Sequence, residues 1–439
     1  MKTNVPAYAG KDIYIIDGSR TPLLKADSSG GKFTASDLAV TACRSLLLRQ
    51  KFNTQDLDEV IFGCVMPGPD EANIARIIAL RLGCDPSTTA WTVQRNCASG
   101  MQALDSAARS ISEGRADLVL AGGTESMSLA PVLFNQAMVN WLSAWSRSRQ
   151  FNAKFKTLMQ FRPVMLAPVI GLLRGLTDPV VGLSMGQTAE NLAARFNISR
   201  RQMDEYALQS HQRLAQAHDE ELFDEIIPLY DENGQCYSED SGLRRDSSVE
   251  KLATLKPVFD KKFGLVTAGN SAQITDGAAC LLLASEEALE KYQLQPIGKI
   301  IDAQWAGLDP AQMGLGPVHA MTPIMQRHQF GIDDIDYWEI NEAFAAQVLA
   351  CIQAWSNDDY CQTELAQTRA MGIIPMDRLN IHGGGVSMGH PVGASGARIV
   401  LHLIKTLQHQ NAQRGMASLC IGGGQGGAML IERTTGDAS

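Results

Sequence analysis

Residues 97–123 read CASGMQALDSAARSISEGRADLVLAGG. Behind the small residues Ala98, Ser99 and Gly100, Met101, Leu104, Ala108 and Ile111 recur on one face, which predicts an amphipathic helix over Ala98–Ile111. Leu118–Ala121 is a short apolar run closed by Gly122-Gly123 and predicts a buried strand. The same order returns near the C-terminus. His390-Pro-Val-Gly-Ala-Ser-Gly opens a glycine-rich helix over Gly389–Leu407, and Met416–Ile421 predicts a strand ending in Gly422-Gly423-Gly424. Each unit places a reactive side chain, Cys97 or His390, at a helix start. Either two related α/β units or chance similarity between two βα units accounts for this.

Working outward, Ile13–Ile16, Val60–Val65, Ala90–Val93 and Tyr337–Ile340 read as strands. Ser36–Gln50, behind a serine cap, and Ala72–Leu82 read as helices, and another helix starts at about Glu342. Strands alternating with helices predict a layered α/β fold with a mainly parallel core. Between the two units the composition changes. Ser126–Thr177 contains no Asp or Glu, yet carries Arg147, Arg149, Lys154, Lys156, Arg162 and Arg174 together with Trp141 and Trp145. Ser199 and Gln202 then stand at capping-box spacing before a helix over Met203–Ala217. The expected division is an N-terminal half over 1–127, completed by about 264–293, an inserted loop domain over 128–263, and a C-terminal half over 294–439.

Composition narrows the function classes. The chain has 439 residues, 45% hydrophobic and 19% charged, with 39 glycines, which fits a globular α/β enzyme of more than one domain. Its net charge of −9 gives no basic footprint for nucleic acid. Nine cysteines without a C-x-x-C pair argue against a disulfide framework or a zinc site and for a reducing compartment. The N-terminal leader lacks an apolar signal core or a transit pattern, and no apolar run is long enough to span a bilayer. A cytoplasmic location is expected.

Four positions stand out for chemistry. Cys97 at a helix start would face the positive end of the dipole and free N–H groups, which favour the thiolate; the plainer reading is a buried apolar cysteine. His390, among glycines that offer nothing to pack against, could take the proton from Cys97. The glycines alone could suggest a dinucleotide loop, but no G-x-G-x-x-G follows the first strand. Cys420 precedes Gly422-Gly-Gly-Gln-Gly-Gly427, whose N–H groups could line a cavity as an oxyanion hole, and is a general acid/base candidate. Asn341, at the end of a strand, is either a helix N-cap or an amide that holds a water, or both.

Taken in order, NCASG, MGQTAEN, TAGNSAQITDGAA, NEAFA, GHPVGASGAR and CIGGGQGG resemble the pattern of the thiolase family, from about Ile13 to the C-terminus. The resemblance implies two related α/β halves stacked into five α-β-α-β-α layers, with a loop domain inserted in the first. It implies that Cys97 is the nucleophile and becomes an acyl-thioester. His390 would activate it and form one oxyanion hole with a water on Asn341. Cys420 would exchange the α-proton of the second acyl-CoA, and the N–H groups of Cys97 and Gly422 would form the other oxyanion hole. Substrate contacts are implied at Ser184, Met185, Ser271, Ala272, Ala343 and Phe344. Coenzyme A and acyl-CoA are then substrates, no metal or redox cofactor is needed, and a homodimer or homotetramer is expected.

The chain departs from the family at several points. Ser184-Met185-Gly186 stands where many short-chain thiolases have His-Met-Gly, and Ala272 where many carry serine. Segment 134–178 resembles the insertion of trifunctional-complex β subunits, which usually carry His-Glu-Ala-Phe where this chain has Asn341-Glu-Ala-Phe. Basic residues flank the Met- and Leu-rich run over Lys154–Leu176, and Pro163 and Pro168 predict a bent hairpin rather than one helix. This segment is expected to meet an anionic membrane surface or an acyl-chain-handling partner such as a β-oxidation multienzyme complex, with coenzyme A phosphates as a secondary contact. Three rival families or roles share some of these features. A ketoacyl synthase typically uses two histidines, a hydroxymethylglutaryl-CoA synthase needs a catalytic glutamate, and an inactive scaffold subunit would not need all four positions intact.

Overall fold

In the computed structural model, which describes residues 7–27 and 30–434, the first element is strand β1 (Ile13–Arg20). The start of the N-terminal leader and the last five positions of the C-terminal half lie outside the described residues. Helix α1 (Ala35–Leu48) is capped by Thr34, not by Ser36. The Thr34 hydroxyl accepts from Asp37 N and the Asp37 carboxylate accepts from Thr34 N, so this pair satisfies the first free donors and Ser36 falls inside the first turn. Then come β2 (Glu59–Gly63), α2 (Ile74–Leu82), β3 (Thr89–Val93), α3 (Ser99–Ser112) and β4 (Leu118–Ser126). Strand β4 runs through Gly122 and Gly123 instead of stopping there. At Gly123 a Cβ would fall 2.0 Å from Gly393 O, so the glycine serves close approach rather than a turn.

The intervening segment contributes α4 (Gln136–Arg147), α5 (Phe151–Met159), α6 (Met185–Arg195) and α7 (Arg200–Asp219). The expected Ser199/Gln202 capping box is present on α7. The chain returns to the sheet as β5 (Thr275–Ala284) and continues as β6 (Gly298–Gly307), α8 (Gly316–His328), β7 (Tyr337–Ile340) and α9 (Ala345–Ser356). It ends in α10 (Val392–His409), β8 (Arg414–Ile421) and β9 (Gln425–Arg433).

Across the sheet the order is β3-β2-β4-β5-β1-β6-β9-β8-β7. The two halves therefore repeat one another: β6, β7, β8 and β9 occupy the places of β1, β2, β4 and β5. Pair directions match as well, with β2–β4 and β7–β8 parallel and β4–β5 and β8–β9 antiparallel. The sheet is mixed, not mainly parallel. Only β2–β3, β2–β4 and β7–β8 run parallel, because β9 follows β8 through a tight turn and β5 re-enters antiparallel to both its neighbours. The half-sheets join where Ile13–Ile15 of β1 meets Gly298–Ile300 of β6.

Alternation along the strands builds the layers. Ile15, Val119, Leu281, Leu419 and Ile431 face a central layer made by α3 and α10. Ile16, Leu118 and Leu282 face α1 and α2 on one outside, and Met416 and Leu430 face α8 and α9 on the other. This gives the five α-β-α-β-α layers. In the middle layer the helices meet through small residues: a Cβ at Gly100 would fall 2.8 Å from Ala397 N, and one at Gly396 2.5 Å from Met101 N. Both helix N-termini thus come together at the ends of the sheets.

Candidate active site

Asn96 adopts φ 44°, a left-handed turn, and its side-chain amide donates to Gly422 O at 2.8 Å. The turn before α3 is thereby tied to the turn between β8 and β9. Cys97 follows, partly accessible, with the N–H of Gly422 directed at its sulfur. Burial pushes its thiol up to about 11, although the N–H groups of Gly422 and of Cys97 itself pull it back. The depressed thiol expected from a helix start is therefore absent at rest. The helix begins at Ser99 behind an uncapped Ala98, and burial of the thiol outweighs the two N–H groups that face it. The small residues after Cys97 are buried against α10 and the strands, so they serve packing.

His390 lies just before α10, its backbone N–H bonded to Gln273 O. Its Nδ1 is 2.6 Å from Ser395 Oγ, and that hydroxyl donates to Pro391 O. With its proton so committed, Ser395 Oγ accepts from Nδ1–H, which leaves Nε2 as the bare lone pair. Nε2 is buried and has no partner. Burial, and then the Arg398 cation, lower the imidazole to about 4, so it rests neutral.

Cys420 is buried near the end of β8, and burial followed by the neighbouring Cys97 and Cys351 thiols pushes its pKa well above the usual thiol range. Of the glycines after it, Gly422–Gly424 form the turn, with Gly423 and Gly424 at φ 91° and 75°. Gly426 and Gly427 lie inside β9, where they admit the Gly316 backbone and the Trp305 ring. Asn341 N bonds to Ser418 O, while both side-chain atoms of Asn341 are buried without a partner. Phe344 is the N-cap residue of α9, so Asn341 caps nothing. An unpaired buried amide is costly, and a small polar guest is the simplest remedy.

Ser184 caps α6 in a box with Gln187. The Met185 sulfur packs on Gly422, where a Cβ would fall 3.1 Å away. Ser271 and Ala272 pair through their backbone with Phe344 and Ala343, joining the segment before β5 to the loop before α9. The Ser271 hydroxyl is already spent on Thr267 O. Three residues were missed in the sequence. Ser395 fixes the tautomer of His390, and its five-residue spacing was the available signal. Glu342 accepts from Tyr206, Ser210, Asn380 and Val386 N, binding the loops behind Asn341 together. Thr275 carries a buried hydroxyl without a partner beside Gly389, and its only signal was its place within TAGNSAQITDGAA.

Comparison with known proteins agrees with this architecture. Residues 13–287 match the thiolase N-terminal domain and residues 294–433 the thiolase C-terminal domain. A 3-ketoacyl-CoA thiolase of Serratia proteamaculans is 35% identical over 428 residues, 96% of this chain and 97% of that protein. The mitochondrial trifunctional enzyme subunit beta of Bos taurus is 34% identical over 96% of this chain and 88% of its own length. Among solved structures, the acetyl-CoA acetyltransferase of Bacillus anthracis superposes with TM-score 0.83 at 36% identity, over 97% of this chain and all of that one. Human mitochondrial 3-ketoacyl-CoA thiolase in complex with CoA gives TM-score 0.82 at 35% identity, over 97% and 98%.

Proposed function

Because the chain belongs to the thiolase family and is an acyl-CoA C-acyltransferase, we propose that it makes and breaks the carbon–carbon bond of 3-ketoacyl-CoA through an acyl-thioester on Cys97, in fatty-acid β-oxidation or acetoacetyl-CoA metabolism. The observation that carries this reading is the bare, buried Nε2 of His390, a base fixed in the accepting tautomer with no structural partner to occupy it. Thiol and imidazole are both neutral at rest, so the proton passes from Cys97 to His390 as the sulfur attacks the 3-keto carbon. Cys420, held as a thiol by its surroundings, is in the form that donates a proton to the leaving acetyl-CoA enolate. A molecule of coenzyme A then takes the shortened acyl group and restores the Cys97 thiol. In synthesis the same steps reverse.

Two oxyanions need stabilising. The N–H groups of Cys97 and Gly422 serve the acyl carbonyl, and His390 with a water on Asn341 serves the enolate of the second acyl-CoA. Ser184, Met185, Ser271, Ala272, Ala343 and Phe344 line the approach of the thioester arm, Met185 and Ala272 by packing, since the Ser271 hydroxyl is engaged elsewhere. Coenzyme A is substrate here, and no metal or redox group enters any step. Incubating the chain with acetoacetyl-CoA and free coenzyme A should yield two acetyl-CoA, with longer 3-ketoacyl-CoAs as the comparison. Failure to cleave any of them would leave a scaffold subunit as the better reading.

The inserted segment points to a partner. Helices α4 and α5 form a hairpin around Trp141, which stacks on Trp145, meets Phe161 edge-on and donates to Thr157 O. Beyond this small core α5 and the short turn after it expose Phe151, Phe155, Met159, Val164 and Leu166. Exposed apolar side chains among six cations with no acidic residue suit an anionic lipid surface. No helix among the described residues is long and apolar enough to cross a membrane, so the contact is peripheral. A cytoplasmic, homodimeric or homotetrameric enzyme that docks through residues 134–178 is the arrangement proposed, over a division of 1–127 with 264–293, 128–263, and 294–439. The relative that is a trifunctional enzyme subunit supports a multienzyme partner at the same surface as the competing outcome. Deleting Phe155–Leu176 should abolish co-sedimentation with anionic liposomes at low salt while acetoacetyl-CoA thiolysis survives. Absence of liposome binding by the intact chain would exclude the lipid surface and favour a protein partner or a substrate-site cover.

A further inference from the structure

Glu125 is a fully buried carboxylate on β4 that no catalytic step uses. Its oxygens accept from three backbone N–H groups: Val65 at 3.0 Å, Met66 at 2.9 Å and Gly393 at 2.9 Å. Val65 and Met66 follow β2 in the first half, whereas Gly393 is in the first turn of α10, three residues beyond His390. The fit is close: a Cβ at Gly393 would fall 2.7 Å from Glu125 Oε2 and 2.5 Å from Thr124 O. A buried carboxylate is a costly tie where apolar packing would do for stability alone. Its reach across both halves gives it another use.

We propose that Glu125 is a positioning residue for acyl transfer, holding the His390 segment of the second half in place against the first half, which carries Cys97. This rests on the reading of Cys97 and His390 given above. Base and nucleophile come from different halves, and a misplacement of about 1 Å between them can cost roughly 100-fold in rate. The carboxylate also bears on the nucleophile electrostatically: its negative charge adds to the rise of the Cys97 thiol. The charged and titratable groups around it are few. Cys64, after β2, has its sulfur 3.6 Å from Oε1, with Glu71 bearing on it. Cys97 lies two residues before α3, and His390, with Arg398 bearing on it, flanks Gly393. Burial lifts Glu125 to about 7, so its charge is adjustable near neutrality.

Two variants separate reach from charge. Glu125→Gln keeps the length but offers one acceptor oxygen and no charge; Glu125→Asp keeps the charge on a shorter stem. Acylation of Cys97 by acetyl-CoA and thiolysis of acetoacetyl-CoA are measured from pH 6 to 10 on the intact enzyme. For Glu125→Gln, acylation should slow about 30-fold with KM within about threefold, and the pH at which Cys97 reacts should move down because an opposing charge is gone. Glu125→Asp should also slow acylation at unchanged KM but keep the native pH profile. A Glu125→Gln enzyme within twofold of native, or one slowed with an unmoved profile, overturns the proposal. If the Gln variant does not fold, Glu125→Asp decides: a rate loss at constant KM upholds it and a native rate overturns it. A native enzyme that never acylates Cys97 overturns the underlying functional reading instead.

Discussion

Cys97→Ala should lower the thiolysis kcat by about 10,000-fold or more, roughly 5 kcal/mol of transition-state stabilisation. On the proposed mechanism the sulfur both attacks the keto carbon and carries the acyl group from the departing acetyl-CoA to free coenzyme A, so no neighbouring group can take over both tasks. Cys420 is the nearest substitute, yet its thiol is held well above the usual range and lacks the Gly422 N–H that faces Cys97. Peptide mass spectrometry after incubation with acetyl-CoA should place the acyl group on Cys97 in the native chain and on no residue in the variant. An acyl group on Cys420 in the native chain would reverse the two assignments.

Cys420→Ala should reduce both condensation and thiolysis by about 1,000-fold, the order expected for loss of a positioned proton donor or acceptor. Acylation of Cys97 should persist in this variant, because attack and collapse need only Cys97, His390 and the N–H groups around the carbonyl. The separation is visible without turnover. Native enzyme should exchange the α-protons of acetyl-CoA with deuterated water, and the variant should not. Exchange at the native rate in Cys420→Ala would sink the assignment and direct attention to His390 as the base.

Local order in the sequence carried much of the architecture. Tyr337–Ile340 appeared as a strand with its true bounds, and the capping box at Ser199 lay where its spacing put it. Both depend on side chains a few positions apart. Strand direction does not: whether β5 runs with or against β4 depends on a return path through the whole insertion, so the expected parallel core became a mixed sheet. The site divides in the same way. Cys97, His390 and Cys420 announce themselves through small residues in their own segments. Glu125 reads only as a polar strand end, since its partner Gly393 is 268 positions away. The rise of the Cys97 thiol was illegible for a related reason: a helix start is a local feature, but desolvation is summed over the neighbours that folding delivers.

The place of β5 in the sheet bears on how the chain is made. It lies between β1 and β4 and pairs with both, yet it leaves the ribosome only after the entire insertion. Until then β4 keeps one open edge and β1, whose other neighbour β6 comes later still, has no partner, while the inner face of α3 waits longer again for α10. A nascent chain in this state holds paired apolar faces without their partners, the condition that favours aggregation and recruits chaperones. Assembly of the proposed catalytic pair is correspondingly late. Cys97 is synthesised early, but His390, its proposed base, arrives only when most of the polypeptide exists, so the proposed nucleophile has no matched partner until then.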